Sequence, residues 1–263
     1  MPIPIEVING KKTVTVLENN PEVMNALSLK LGLPISPALQ FHDIYSLSDP
    51  DILSLIPQPI HALLVILPFT PSWHADREAE DSLTEPYTAS GPSEPVIWFK
   101  QTIGHACGSI GLLHCLLNSP ARHHLRPDSI ALQIGEAAIP LKMEERARML
   151  YDNEAFLEAH QSVAEMGDTS APGAEEGERL GQHFVAFVKG EGEGEEHLWE
   201  LEGSRKGPIN RGFLGGEGLL STRGVELGIG RVMELERRGG GADLRFSCVA
   251  LAGPGPGPGP GET

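Results

Sequence analysis

Apolar residues recur along the chain at spacings that predict a mixture of helices and strands. Val23, Leu27 and Leu31 fall on one face of a helix that Asn20 can cap, Pro21 can open and Gly32 can end. The Leu, Val and Ile run from Ala62 to Phe69, closed by a proline, predicts a buried strand. GSIGLLHCLL, from Gly108 to Leu117, is apolar on most faces, so its helix belongs in the interior. Two further helices are expected within residues 128–158, where Glu144, Glu145, Arg146 and Arg148 supply a charged face and Met149, Phe156 and Leu157 supply apolar positions.

Alternation replaces helical spacing in HFVAFV, from His183, and HLWEL, from His197. These segments predict a hairpin joined by KGEGEGEE as a flexible acidic turn, and RFSCVAL is a further strand candidate. Two stretches lack either period. Residues 75–95, polar and broken by Gly91, Pro92 and Pro95, read as a surface connection. Residues 167–182, rich in Gly, Pro, Ser and Glu, form a stretch either functional or disordered. The tail GPGPGPGPGET cannot build a helix or a packed sheet, which leaves one folded unit over residues 1–252 and a disordered tail over 253–263.

A chain of 263 residues, 40% of them hydrophobic, can bury a substantial core. Its net charge of −16 argues against nucleic acid as a partner, because phosphate binding needs a basic surface, and favours a basic partner. No run approaches the ~20 apolar residues of a membrane span, and the first residues lack a signal-peptide pattern, so a cytoplasmic protein is expected, with the nucleus also open. Three cysteines do not form a secreted disulfide framework; Cys107 and Cys115, on one helix, would lie about 12 Å apart and could not bridge. No CxxC or HExxH pattern is present, and the acidic residues within GEGEGEE would repel phosphate, so neither a metal nor another cofactor is expected.

Cys107 is the residue whose surroundings suit chemistry. A thiol becomes a nucleophile when its pKa falls, and a helix amino terminus beside an imidazole lowers it. In QTIGHACGSIGLLHCLL, Gly104, Ala106 and Gly108 leave room for a substrate backbone, and the buried helix follows at once. Cys115 and Cys248 lie inside apolar runs and read as packed core residues. From residue chemistry alone a core role for Cys107 stays open, and ten histidines compete for the role of base.

QTIGHACGSIGL resembles the active-site segment of the ubiquitin carboxyl-terminal hydrolases, in which a Gln lies six residues before a Cys that opens the central helix. The resemblance continues in order through ENNPEVMN, LGL, DIYSL, SLIPQPIHALLVILPF, EERARMLY, HFVAFV, HLWELEGSRKGPIN and RFSCVAL, from Leu17 to Leu251. It implies a papain-like α/β (α+β) fold, with a central, mainly antiparallel sheet flanked by helices and a knotted backbone. By position it implies Cys107 as nucleophile, His183 as general base and Gln101 as oxyanion donor; His105, His114 and His197 keep structural roles. Where the family has an aspartate in a segment like LYELDG, this chain reads LWELEG, so Glu202 takes the orienting position with one methylene more, and Glu200 is the weaker substitute.

The implied activity is thiol-dependent hydrolysis of small adducts or short extensions from the carboxyl-terminal glycine of ubiquitin, by a monomer whose partner is ubiquitin or a related modifier. The stretch from Glu158 to Gln182 matches the family's crossover loop. A ubiquitin-binding relative impaired in turnover by Glu202 is the alternative; a broad endopeptidase is disfavoured, because the acidic loop before His183 would restrict access.

Overall fold

The Leu, Val and Ile run before residue 70 becomes a central strand, and both of its edges are paired. In the computed structural model, which describes residues 3–34, 39–168, 181–239 and 246–254, strands β3 (Gln40–Asp43), β4 (Ile60–Pro68), β5 (Gln182–Gly192), β6 (Glu195–Leu201), β7 (Ile209–Phe213) and β8 (Ser247–Ala252) form one sheet. Its order is β3-β8-β4-β5-β6-β7, with every neighbouring pair antiparallel. A separate hairpin, β1 (Glu6–Ile8) and β2 (Lys11–Thr13), turns at Asn9 and Gly10, both at positive φ.

The sheet is covered on both faces, which explains why its strands read as nearly continuous apolar runs. Leu64, Phe184, Ala186, Val188, Val249 and Leu251 join one core, which holds helices α1 (Pro21–Leu31) and α4 (Cys107–Leu117). Leu63, Val65, Leu67, Val185, Phe187 and Ala250 join a second core, shared with Trp73 of α3 (Pro71–Ser82), which follows the short α2 (Pro50–Leu53), and with Ile229 and Val232 of α9 (Ile229–Arg238), which follows α8 (Thr222–Leu227). Helix α1 takes the expected limits: the Asn20 side chain accepts from the Glu22 amide, Pro21 opens the helix and Gly32 follows its last turn at φ 121°.

Four expectations are corrected. Residues 75–95 are not wholly a connection, because α3 runs to Ser82; Thr70 caps it and Pro71 opens it, and its polar side chains are held by ion pairs that apolar periodicity does not register. Residues 128–158 begin three helices instead of two, α5 (Ile130–Ala138), α6 (Met143–Tyr151) and α7 (Glu154–Gln161), because Asn153 caps a new helix directly after α6. Arg146 does not belong to a solvated face: it is fully buried, paired with Glu94 at 2.7 Å and bonded to the carbonyls of Ala138, Trp98 and Leu141. KGEGEGEE is mostly strand, because β5 and β6 stay paired to Gly192 and Glu195 around the positive-φ pair Glu193 and Gly194. The tail beyond residue 254, and residues 169–180 of the expected crossover loop, lie outside the described residues.

Candidate active site

Cys107 is the first residue of α4, and Ala106 before it offers no capping side chain. The thiol occupies that end, hydrogen-bonded by the backbone of Gly108 and of Phe184. Close approach of helix to sheet makes this contact with β5 attainable: a Cβ on Gly108 would stand 3.2 Å from the Phe184 ring, and one on Gly111 would stand 2.7 Å from Leu64. Ser109, in the same turn, bonds at 2.9 Å to the buried His160, whose other nitrogen meets the Thr15 carbonyl at 2.6 Å.

His183 enters from the start of β5, opposite Leu67 of β4, and is buried. Its Nε2 lies 2.7 Å from Oε1 of Glu202, just beyond the end of β6. The thiol of Cys107 is hydrogen-bonded to the same ring. The Nε2 contact is short but out of line with the ring N–H, so it is an ion pair rather than an aligned hydrogen bond. Glu202 Oε1 also accepts from the amide (2.8 Å) and hydroxyl of Ser204, while Oε2 lies 3.4 Å from Arg77 Nη2.

Burial disfavours charge on all three groups, yet their mutual attraction prevails. Desolvation pushes the Cys107 thiol up, and the positive His183 and hydrogen bonds outweigh it to leave the pKa lowered. Desolvation pulls His183 down, but Glu202 and then Cys107 raise it well above the usual imidazole range. Glu202 is lifted by burial and brought down to about 2 by His183, Arg77 and Ser204. These shifts favour a thiolate beside an imidazolium, steadied by a carboxylate.

The thiol opens on a cleft of about 580 Å³ lined by Cys107, His183, Gln101, His105, Gln182 and Lys11. The hairpin β1–β2 forms one wall and is pinned beside the nucleophile, since the Gly104 amide donates to the Lys12 carbonyl at 2.8 Å and the Val14 amide to the Gly104 carbonyl at 3.0 Å. Gln101 is fixed by its own amide, which donates to the Gly203 carbonyl at 2.7 Å; its Nε2 donates one hydrogen to the Ile103 carbonyl at 3.2 Å.

A family model described as ubiquitin carboxyl-terminal hydrolase, family 1, matches residues 14–234. The chain belongs to this family. It is 33% identical over 221 residues to a probable ubiquitin carboxyl-terminal hydrolase of Dictyostelium discoideum, covering 84% of this chain and 82% of that one. It is 31% identical over 235 residues to ubiquitin carboxyl-terminal hydrolase isozyme L1 of Rattus norvegicus, covering 89% and 96%. Among solved structures, the UCH37 catalytic domain of Trichinella spiralis bound to ubiquitin vinyl methyl ester superposes with a TM-score of 0.66 at 19% identity, over 92% of this chain and 95% of that one. That likeness shows the papain-like hydrolase fold with its mostly antiparallel sheet.

Within this family member, Gln101, Cys107 and His183 share one cleft, and Glu202 lies against His183. Glu200, the weaker substitute, is held elsewhere: its Oε2 pairs with Arg211 Nε at 2.7 Å. Cys115 and Cys248 are buried free thiols whose pKa burial pushes up. His114 accepts from the Phe99 amide at 3.0 Å, and His197 bonds to Asn210 at 2.9 Å. Arg77 and Ser204 contact Glu202, Phe69 stacks on His183 and Trp73 stacks on Phe69, and none of the four carries a site signal in the sequence. The Thr70-Pro71 start signal was available to find α3; nothing in the sequence joins that helix to Glu202.

Proposed function

We propose that Cys107 is the nucleophile, His183 the general base and acid, Glu202 the orienting carboxylate and Gln101 an oxyanion donor in hydrolysis at the carboxyl-terminal glycine of ubiquitin. Family membership makes the chain a deubiquitinating cysteine peptidase. The observation that carries the residue roles is the Cys107–His183–Glu202 array, in which Cys107 and His183 line the cleft and Glu202 lies buried behind His183.

The thiolate attacks the glycine carbonyl carbon, and the new C–S bond places charge on the former carbonyl oxygen. The second Nε2 hydrogen of Gln101 and the Cys107 amide are the donors suited to that oxygen, each worth ~3 kcal/mol in the transition state. Imidazolium His183 gives its proton to the departing amine as the C–N bond breaks, leaving a thioester. Water then attacks, His183 takes its proton, and the thiolate departs from the free carboxylate.

Small adducts and short extensions are the substrates this reading favours, with the segment between α7 and β5 serving as the size filter that the family resemblance implies. Ubiquitin's basic tail suits a chain of net charge −16, a charge that also disfavours nucleic acid. The reading further includes a cytoplasmic monomer, with the nucleus open as a second location. Release of a fluorophore from ubiquitin's carboxyl terminus tests it: turnover that disappears in Cys107→Ala supports the assignment, and ubiquitin binding without turnover in the unaltered protein overturns it.

A further inference from the structure

Phe69, Trp73 and Arg77, four apart across the start of α3, link His183 to Glu202 through a chain of side-chain contacts. Phe69, just before the helix, stacks on the His183 ring with centroids 5.3 Å apart, and Trp73 stacks on Phe69 at 4.9 Å. The Arg77 guanidinium lies over the Trp73 ring at 5.1 Å, and its Nη2 reaches Glu202 Oε2 at 3.4 Å. The ring closes at the 2.7 Å contact between Glu202 and His183. Arg77 of α3 thus touches Glu202, while Phe69, just ahead of the helix, stacks on His183.

A glutamate at this position has one more rotatable bond than an aspartate, and its carboxylate needs more than one anchor to stay beside the imidazole. Ser204 secures Oε1, the oxygen that also faces His183. Oε2 has no aligned hydrogen bond, and its charged neighbour is Arg77. Arg77 is held in turn by Asp81 at 3.9 Å, and Asp81 meets Arg205 at 3.3 Å, so the guanidinium is braced from behind as well as stacked on Trp73.

We propose that Arg77 is a positioning residue for the reaction, acting through Glu202: it fixes the second oxygen of the longer carboxylate and thereby the angle of His183. This inference rests on the catalytic reading of Glu202 above. Arg77 is not among the residues that line the cleft, and its place is behind Glu202, so it is no catalytic residue.

The test is a double-mutant cycle on release of fluorophore from ubiquitin, with thermal unfolding followed for every variant. Arg77→Met is expected to lower kcat about tenfold with KM little changed, the size of coupling usual within one polar network. Arg77→Lys, which keeps the charge, is expected to restore most of that loss. In a Glu202→Gln background, Arg77→Met is expected to cost less than about twofold, because the carboxylate it positions is gone. Equal losses in both backgrounds, or a loss in Arg77→Met that tracks a lowered unfolding temperature and is not restored by lysine, would overturn the proposal. Unchanged kcat in Arg77→Met with an impaired Glu202→Gln defeats this inference alone, whereas unchanged kcat in Glu202→Gln defeats the reading of Glu202 on which it stands.

Discussion

His183 Nε2 and Glu202 Oε1 stand 2.7 Å apart, out of line with the ring N–H. The family resemblance places an aspartate at this position, and here a carboxylate one methylene longer still reaches the ring. The attraction survives the misalignment because it is between charges in a buried site, where Coulomb terms are stronger than in water.

Glu202→Gln should fold and bind ubiquitin but lose turnover, by about a hundredfold or more, since an amide cannot stabilise the imidazolium and an altered third triad member is costly elsewhere. Glu202→Asp should keep near-normal or improved activity, the shorter side chain restoring the expected approach. Steady-state kinetics on a ubiquitin–fluorophore conjugate measures both; unaltered kcat in Glu202→Gln would remove the orienting role.

The pH profile should be bell-shaped, as expected for a coupled thiolate–imidazolium pair. Its alkaline limb belongs to loss of the imidazolium proton, and Glu202 raises His183. Replacing Glu202 with Gln removes the negative charge that favours imidazolium, so the alkaline limb should move to lower pH. A limb that stays in place, measured as kcat/KM against pH, would show that Glu202 does not govern His183.

Ubiquitin carrying a carboxyl-terminal electrophile should label Cys107 and spare Cys115 and Cys248. Burial raises the pKa of both spared thiols, whereas His183 and backbone hydrogen bonds lower that of Cys107. Peptide mapping of the adduct decides the point, and Cys107→Ala should abolish both labelling and turnover.

Arg146 joins α6 to three backbone carbonyls and to Glu94 without solvent exposure. Arg146→Met should destabilise the fold by roughly 3–5 kcal/mol, because it leaves a buried carboxylate and several carbonyls without their cation. Urea denaturation would show it as a lower midpoint at unchanged slope. A loss below about 1 kcal/mol would mean that water or a shift of Glu94 replaces the guanidinium.

Leaving-group size should matter if the segment between α7 and β5 acts as the size filter; the expected loop limits of Glu158 and Gln182 are too wide, because Glu158–Gln161 continue α7 and Gln182 opens β5. A short peptide extension on ubiquitin should be cleaved readily and a tightly folded fusion poorly. Gly and Ser insertions between residues 169 and 180 should relax the limit, since a longer loop adds little closure entropy. Equal cleavage of the two fusions by the unaltered protein would dispose of the filter.

Much of the frame was legible because its signals are local. Helix α1 announced itself through Asn20, Pro21 and Gly32, the central strand through an unbroken apolar run, and α4 through apolarity on nearly every face. Gln101, Cys107 and His183 were legible through a resemblance that runs in order along the chain, not through residue chemistry, which left ten histidines in contention. The hydrophobic period failed where charge does the stabilising: α3 is polar because Asp76, Arg77, Glu80 and Asp81 pair with Arg205, Arg211, Arg231 and Glu202, partners far along the chain. It failed likewise at Arg146, whose buried partner Glu94 lies outside its helix. The resemblance set Glu202 ahead of Glu200, but only the tertiary structure supplies the reason: Arg211 captures Glu200, and the chain beyond β6 turns Glu202 inward onto Ser204 and His183. Spacing along a strand fixes which residues are neighbours in sequence, but which carboxylate reaches an imidazole is fixed by where the strand ends and what competes for its charge.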